Sequence, residues 1–236
     1  MPQKKTIPKR SEVQRQNIKT RCGRLYRKFK NHLWVIDDES YFTLTHSTIN
    51  GNDNFYSSNV SLTSSCIKYS PKSKFEDKLL VWICFSARGV SKPFFVPSKM
   101  AINQNVYLED CIKQRLLPFI NTFHSDGNYV FWPDLASSHY ANTVVDHLMT
   151  KNVKFVQKED NPPNVPECRP IEDFWSILKG QVYNDNWQAE NLEQLRKRIM
   201  YCLKKIDQSL VQSLMGSVSS RLDHVRRHRV IEKTNL

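Results

Sequence analysis

Three stretches of this 236-residue chain put a carboxylate at the end of an apolar run or at the start of a helix. Leu33-Trp34-Val35-Ile36-Asp37-Asp38-Glu39 and Tyr129-Val130-Phe131-Trp132-Pro133-Asp134 have the length and composition of buried strands, and both finish in acids. The third acid is Glu172. Arg169-Pro170-Ile171-Glu172 reads as a helix start, because proline at a first helical position loses no hydrogen bond and its fixed φ suits the helix. Between Asp38 and Asp134 lie 95 residues, and between Asp134 and Glu172 lie 37. Carboxylates on two strand ends and one helix are the hard oxygen donors that paired divalent cations require. Glu172 by itself is equally an acid at the positive end of a helix dipole, a common arrangement worth roughly 0.3–1 kcal/mol. The combination of three is what points to metal chemistry.

The elements that must position these acids follow from spacing. Pro162, Pro163 and Pro166 keep the approach to the third acid extended. Ile171, Phe174, Trp175 and Leu178 then share one helical face, with Glu172 and Lys179 outside it, so Trp175 is core that fixes the helix aiming the glutamate. Lys78–Ser86 and Pro93–Val96 are buried-strand segments joined around Arg88-Gly89 as a hairpin. Asn103 caps a helix that runs through Tyr107, Leu108, Cys111 and Leu116 to a break at Pro118. A helix from about Ser138 to Lys151 and a strand over Val153–Val156 follow. Strand, hairpin, helix, strand, helix, strand, helix is the order of an α/β, ribonuclease H-like mixed sheet flanked by helices, with further helices at the C-terminal end. Adjacent side chains of a strand face opposite ways, so only one of Asp37 and Asp38 reaches a shared site.

Motif for motif, the chain resembles the catalytic domain of mariner-type DNA transposases. WVIDDESYF is similar to their first-aspartate strand, FWPDLASSHYA to the second, and RPIEDFWSILK to their Pro-Ile-Glu helix, over about residues 25–230. One departure is Leu135-Ala136-Ser137, where many relatives have Asn-Ala-Pro. The resemblance selects Asp38, directly before Glu39, as the first ligand, and leaves Asp37, Glu39 and Asp173 outside the ligand set. It implies that Asp38, Asp134 and Glu172 hold two Mg2+ ions, with Mn2+ as a substitute, roughly 3.5–4 Å apart for in-line phosphoryl displacement. The expected reaction is cleavage at transposon ends followed by strand transfer into a target TA dinucleotide, by a homodimer on DNA. His139, five residues after Asp134, is either a packing or capping residue near a helix start or a group that orients a ligand carboxylate. Intact relatives carry two N-terminal helix-turn-helix modules, so end recognition is expected to lie outside this sequence. The alternative is a domesticated or inactive transposase-derived protein that binds DNA or dimerises without catalysis.

Charge distribution agrees with a polyanionic partner. Residues 1–30 carry a net +10 and residues 219–236 a net +3, within a chain total of +12, so the middle is nearly neutral. Residues 1–30 form a basic linker and helix in which Val13, Ile18, Cys22, Leu25 and Phe29 line one face, with Arg21, Arg24, Arg27 and Lys28 among the DNA-facing candidates. Arg226 and Arg227 are the C-terminal counterparts. Residues 31–184 are the catalytic unit, with a polar insertion at about 40–74, and 185–236 add helices to the same domain. Six cysteines without a C-x-x-C pair make neither a zinc framework nor a disulfide scaffold. No signal-peptide core and no apolar run of about 18 residues is present, which argues against secretion and membrane spanning. Lys4-Lys5 and Lys9-Arg10 form a nuclear-import-like patch, so the nucleus is the expected location.

Overall fold

The computed structural model describes residues 10–45, 57, 60–64, 77–97 and 100–228. Helix α1, Glu12–Phe29, opens with Ser11 and Gln14 exchanging side-chain and backbone hydrogen bonds as a capping box. Strand β1 is Leu33–Thr43, β2 Lys78–Ser86, β3 Gly89–Val90, β4 Phe94–Val96 and β5 Tyr129–Trp132. Gln104–Val106, Tyr107–Leu116 and Leu117–Phe123 run on as one helix, α2, whose middle stretch is wound with π geometry. Helix α3 is Asn142–Thr150, α4 Ile171–Val182, α5 Leu192–Lys204 and α6 Gln208–His228.

β1 lies between β2, its antiparallel neighbour, and β5, its parallel one; β3 and β4 both pair with β2. Strand alternation splits the core in two. Trp34, Ile36, Ile83, Val130 and Trp132 pack on α1, α4, α5 and α6, whereas Val35, Trp82, Cys84 and Phe131 pack on α2 and α3. Burial on both faces explains why β2 reads KLLVWICFS, a nearly unbroken apolar run. α1 is part of this body: Ile18, Cys22, Leu25 and Phe29 are buried with residues of α6, while Val13 at the first turn is exposed.

Several boundaries differ from expectation. The helix that starts at Asn103, whose Oδ1 accepts from the amides of Asn105 and Val106, does not stop at Pro118. The amide of Leu117 reaches back to Ile112 O, and this wider turn accommodates a residue that has no N–H to offer and whose ring would crowd an α-helical carbonyl. β1 continues to Thr43, so the polar connection to β2 begins later than residue 40; most of it, with Cys66, lies outside the described residues, as does the Lys4-Lys5 pair. The strand expected at Val153–Val156 reduces to a single parallel bridge between Phe131 and Phe155, because the chain turns at Gln157, whose carbonyl accepts from Asp160 and Asn161. α3 begins at Asn142 rather than near Ser138, leaving His139 in the preceding turn. The five described cysteines are buried and free.

Candidate active site

Register brings the first two acids together. Leu33 pairs with Tyr129 and Ile36 with Trp132 in the parallel ladder, so Asp38 and Asp134 each lie two residues beyond the last paired position. Asp38, inside β1, faces α4; Asp134 lies past the end of β5, where its charge is felt by His139 and Tyr140. Asp38 and Asp134 are half-buried, and Glu172, in the first turn of α4, is exposed. The helix starts one residue later than the sequence implies: Pro170 is its cap, and its carbonyl accepts the amide of Phe174.

Asp37 and Asp38 do face opposite ways. Asp38 Oδ2 accepts from Trp175 Nε1 at 3.0 Å, tying β1 to α4 three residues from Glu172. Asp37 is fully buried on the other side, where its Oδ2 accepts from Tyr107 OH at 2.6 Å and Trp82 Nε1 at 3.2 Å. Its Oδ1 is buried with no hydrogen-bond partner. Asp37 is therefore a structural anchor beneath the site.

The electrostatics are those of acids short of positive charge. Burial pushes the Asp38 carboxyl up to about 7, with Glu39 and Glu172 adding to the effect and the Arg169 guanidinium opposing it. Burial lowers the Lys179 ammonium, against the pull of Glu172 and Asp38. His139 stacks on the Tyr107 ring at 3.8 Å between centroids, with Nε2 3.5 Å from Glu39 Oε1. Burial disfavours its charged form, yet Glu39, Asp37 and Asp134 outweigh burial and raise its pKa. His139 thus belongs to the Asp37 side, stacked on Tyr107 and facing Glu39.

Among the described residues, no three His, Cys, Asp or Glu side chains converge as a ligand cluster. The Asp38 carboxylate is turned to the indole of Trp175. The donors fit a hard divalent cation in kind: three carboxylates, one inside β1, one just past β5 and one in the first turn of α4, with Asp38 destabilised as an anion partly by Glu172 itself.

The basic residues assigned to DNA by sequence have other contacts. Arg21 donates to the carbonyls of Asn161 and Lys158, and Arg24 and Lys28 lie 3.7 and 3.4 Å from Asp160. Arg27 NH1 lies close to Gly23. Arg226 and Arg227 pair with Asp223, and Arg226 also stacks on Tyr26. Arg10 grips Glu167 with two bonds of 2.9 Å, and Arg221 donates to Asp173 and to Glu167 O. The basic helices therefore hold the loop that delivers Glu172.

Sequence reasoning missed Arg169 and Asn161. Arg169, 8% exposed, donates to the carbonyls of Asp37, Trp132 and Pro133. Asn161 accepts from Trp132 Nε1 and donates to Pro133 O and Tyr140 OH. The only sequence trace of Arg169 is its position directly before the Pro-Ile-Glu helix start.

No family model matches the chain. It is 28% identical over 149 residues to the Tc3 transposase of Caenorhabditis elegans, covering 63% of this chain and 43% of that protein, so it spans less than half of that relative's length. Its structure superposes on a Mos1 mariner paired-end complex with Mn at a TM-score of 0.78 and 16% identity, over 96% of this chain and 66% of that one. Against the catalytic domain of the Mos1 mariner transposase the TM-score is 0.70 at 16% identity, over 96% of this chain and all of that domain (100%). The α/β sheet described above has the fold of that catalytic domain.

Proposed function

We propose that the chain is the catalytic domain of a cut-and-paste DNA transposase, which hydrolyses phosphodiester bonds at transposon ends and transfers the strands into target DNA at a TA dinucleotide. The observation that carries this reading is the parallel register of β1 and β5, which sets the backbone of Asp38, inside β1, level with that of Asp134, just past the end of β5, with the Glu172 helix bonded to Asp38 through Trp175. The similarity to Tc3 transposase supports it, as does the likeness in fold to Mos1 complexes with Mn, with Mg, with a left transposon end and of strand transfer.

In this reading Asp38, Asp134 and Glu172 are the ligands of two Mg2+ ions, replaceable by Mn2+. Bound there, the cations would supply neutralisation of charge on the phosphoryl group and activation of the attacking oxygen. Asp38 would offer its oxygens from within β1, Asp134 from the turn just past β5, and Glu172 from a helix held by buried Phe174, Trp175 and Leu178. His139 braces Glu39 from below, and Lys179 adds a cation favoured by the charges of Glu172 and Asp38. The chain would work as a homodimer on DNA in the nucleus, a location supported by Lys4-Lys5 and Lys9-Arg10. The exposed remainder of its basic charge would meet phosphate.

The test compares the purified protein with Asp134→Ala for Mn2+ binding by calorimetry and for nicking of a supercoiled TA-containing plasmid in Mg2+ and Mn2+. Binding and nicking lost together in the variant are the expected result. Equal Mn2+ binding by the two proteins refutes the three-carboxylate site.

A further inference from the structure

A guanidinium is costly to bury unless its donors are satisfied. Arg169 is nevertheless almost fully enclosed, and its hydrogen bonds run to main-chain carbonyls rather than to a carboxylate. Those carbonyls are not scattered. NH2 donates to Asp37 O at 2.6 Å, the peptide that leads into Asp38. NH1 donates to Trp132 O at 3.2 Å and Pro133 O at 3.3 Å, the second being the peptide that leads into Asp134. Arg169's own carbonyl accepts the amide of Glu172 at 3.4 Å. The guanidinium also lies over the Trp132 ring, 5.4 Å from its centroid. One residue thus touches the backbone beside each of the three acids.

We propose that Arg169 is a positioning residue that locks the middle of β1, the exit of β5 and the start of α4 into one frame, setting the separations of Asp38, Asp134 and Glu172 for cation binding. The inference rests on the reading of those acids as ligands. It needs arginine in particular. Contacts to two strands at once use the planar fork of the guanidinium, which an ammonium on a flexible stem does not reproduce. Asn161 reinforces the same point by donating to Pro133 O at 2.9 Å, so the turn before Asp134 is held from two sides. Small displacements of a ligand-bearing peptide weaken metal sites because the supporting groups fix ligand orientation.

The experiment measures Mn2+ affinity and non-specific duplex binding in the intact chain and in Arg169→Gln, Arg169→Lys and Phe119→Leu, at a temperature where each is folded by circular dichroism. Phe119 is buried in the core on the opposite sheet face and serves as a control for general destabilisation. The expected result is Mn2+ binding at least tenfold weaker in Arg169→Gln and at least threefold weaker in Arg169→Lys, with Phe119→Leu within twofold of the parent. Duplex binding should stay within twofold in all, since Arg169 is enclosed. If Arg169→Gln does not fold, Arg169→Lys decides. An Arg169→Lys protein whose Mn2+ affinity is within twofold of the parent overturns the positioning role and leaves the carboxylate site standing. A parent chain that binds no Mn2+ overturns the ligand reading itself, and the inference with it.

Discussion

Replacing Tyr107 by Phe removes one hydroxyl from the underside of β1 and leaves the ring that stacks on His139. That hydroxyl is the shorter of two bonds to the Asp37 carboxylate, 2.6 Å against 3.2 Å from Trp82, and Asp37 Oδ1 is buried without a partner. A hydrogen bond to a charged group contributes about 1.5–3 kcal/mol, and one lost inside a core is not replaced by water. For a chain of this size each kcal/mol moves the melting temperature by about 2–4 °C, so Tyr107→Phe should melt about 3–12 °C lower. Burial raises the Asp37 pKa above the ordinary carboxylate range, and Tyr107 works against that rise. A group raised on folding contributes stability that is fully present below its unfolded value, about 3.9, and is lost as pH rises through its folded value. Without the hydroxyl the folded value moves higher still, so the deficit of the variant should widen as pH increases. Melts at pH 5, 6.5 and 8, with Asp37→Asn and the double variant closing a cycle, measure both effects. A coupling energy below about 0.5 kcal/mol, or a deficit that shrinks as pH rises, would refute the account of Asp37 as an anchored buried acid.

Other expectations concern the scaffold around the site. Burial, then Arg88, hold the His124 imidazole down to about 4, and its Nε2 meets Ser86 Oγ at 2.8 Å. A histidine depressed on folding contributes stability present above its unfolded value, about 6.5, and lost as pH falls toward 4. His124→Gln should therefore flatten the acid limb of the melting temperature between those values, and an unchanged slope would assign the acid loss to other groups. Arg10→Ala breaks an enclosed pair with Glu167 and should cost about 3 kcal/mol, with faster amide exchange over residues 161–169. Lys28→Ala, whose exposed ammonium lies 3.4 Å from Asp160, should cost less than about 1 kcal/mol; an equal loss in the two variants would show that burial is not what separates them.

The division between what sequence disclosed and what it hid has physical causes. Strand alternation is local and strict, so the opposition of Asp37 and Asp38 follows from adjacency alone, and the partners Trp175 and Tyr107 on opposite faces bear it out. Helix faces are nearly as legible: Ile171, Phe174, Trp175 and Leu178 are all buried, as their spacing requires. Pro118 misled because a proline reports only the donor it lacks, and the π-wound stretch ahead of it, with Tyr107, Cys111 and Ile112 buried, carries the helix past it. Charge was the least legible property. Composition gives the sign of the termini but not what each cation faces, and Arg10, Arg21, Arg24, Lys28 and Arg221 all contact the 158–173 segment. That segment contains four prolines and, apart from a single 3-10 turn at Pro166–Cys168, no helix until Ile171, so it has few hydrogen bonds of its own with which to hold a fixed course. Cations from α1 and α6 supply from outside what the loop cannot make within itself. Arg10 and the basic residues of α1 and α6, which in sequence point to a polyanion, thus act in the folded protein first as a brace for the loop that leads to Glu172.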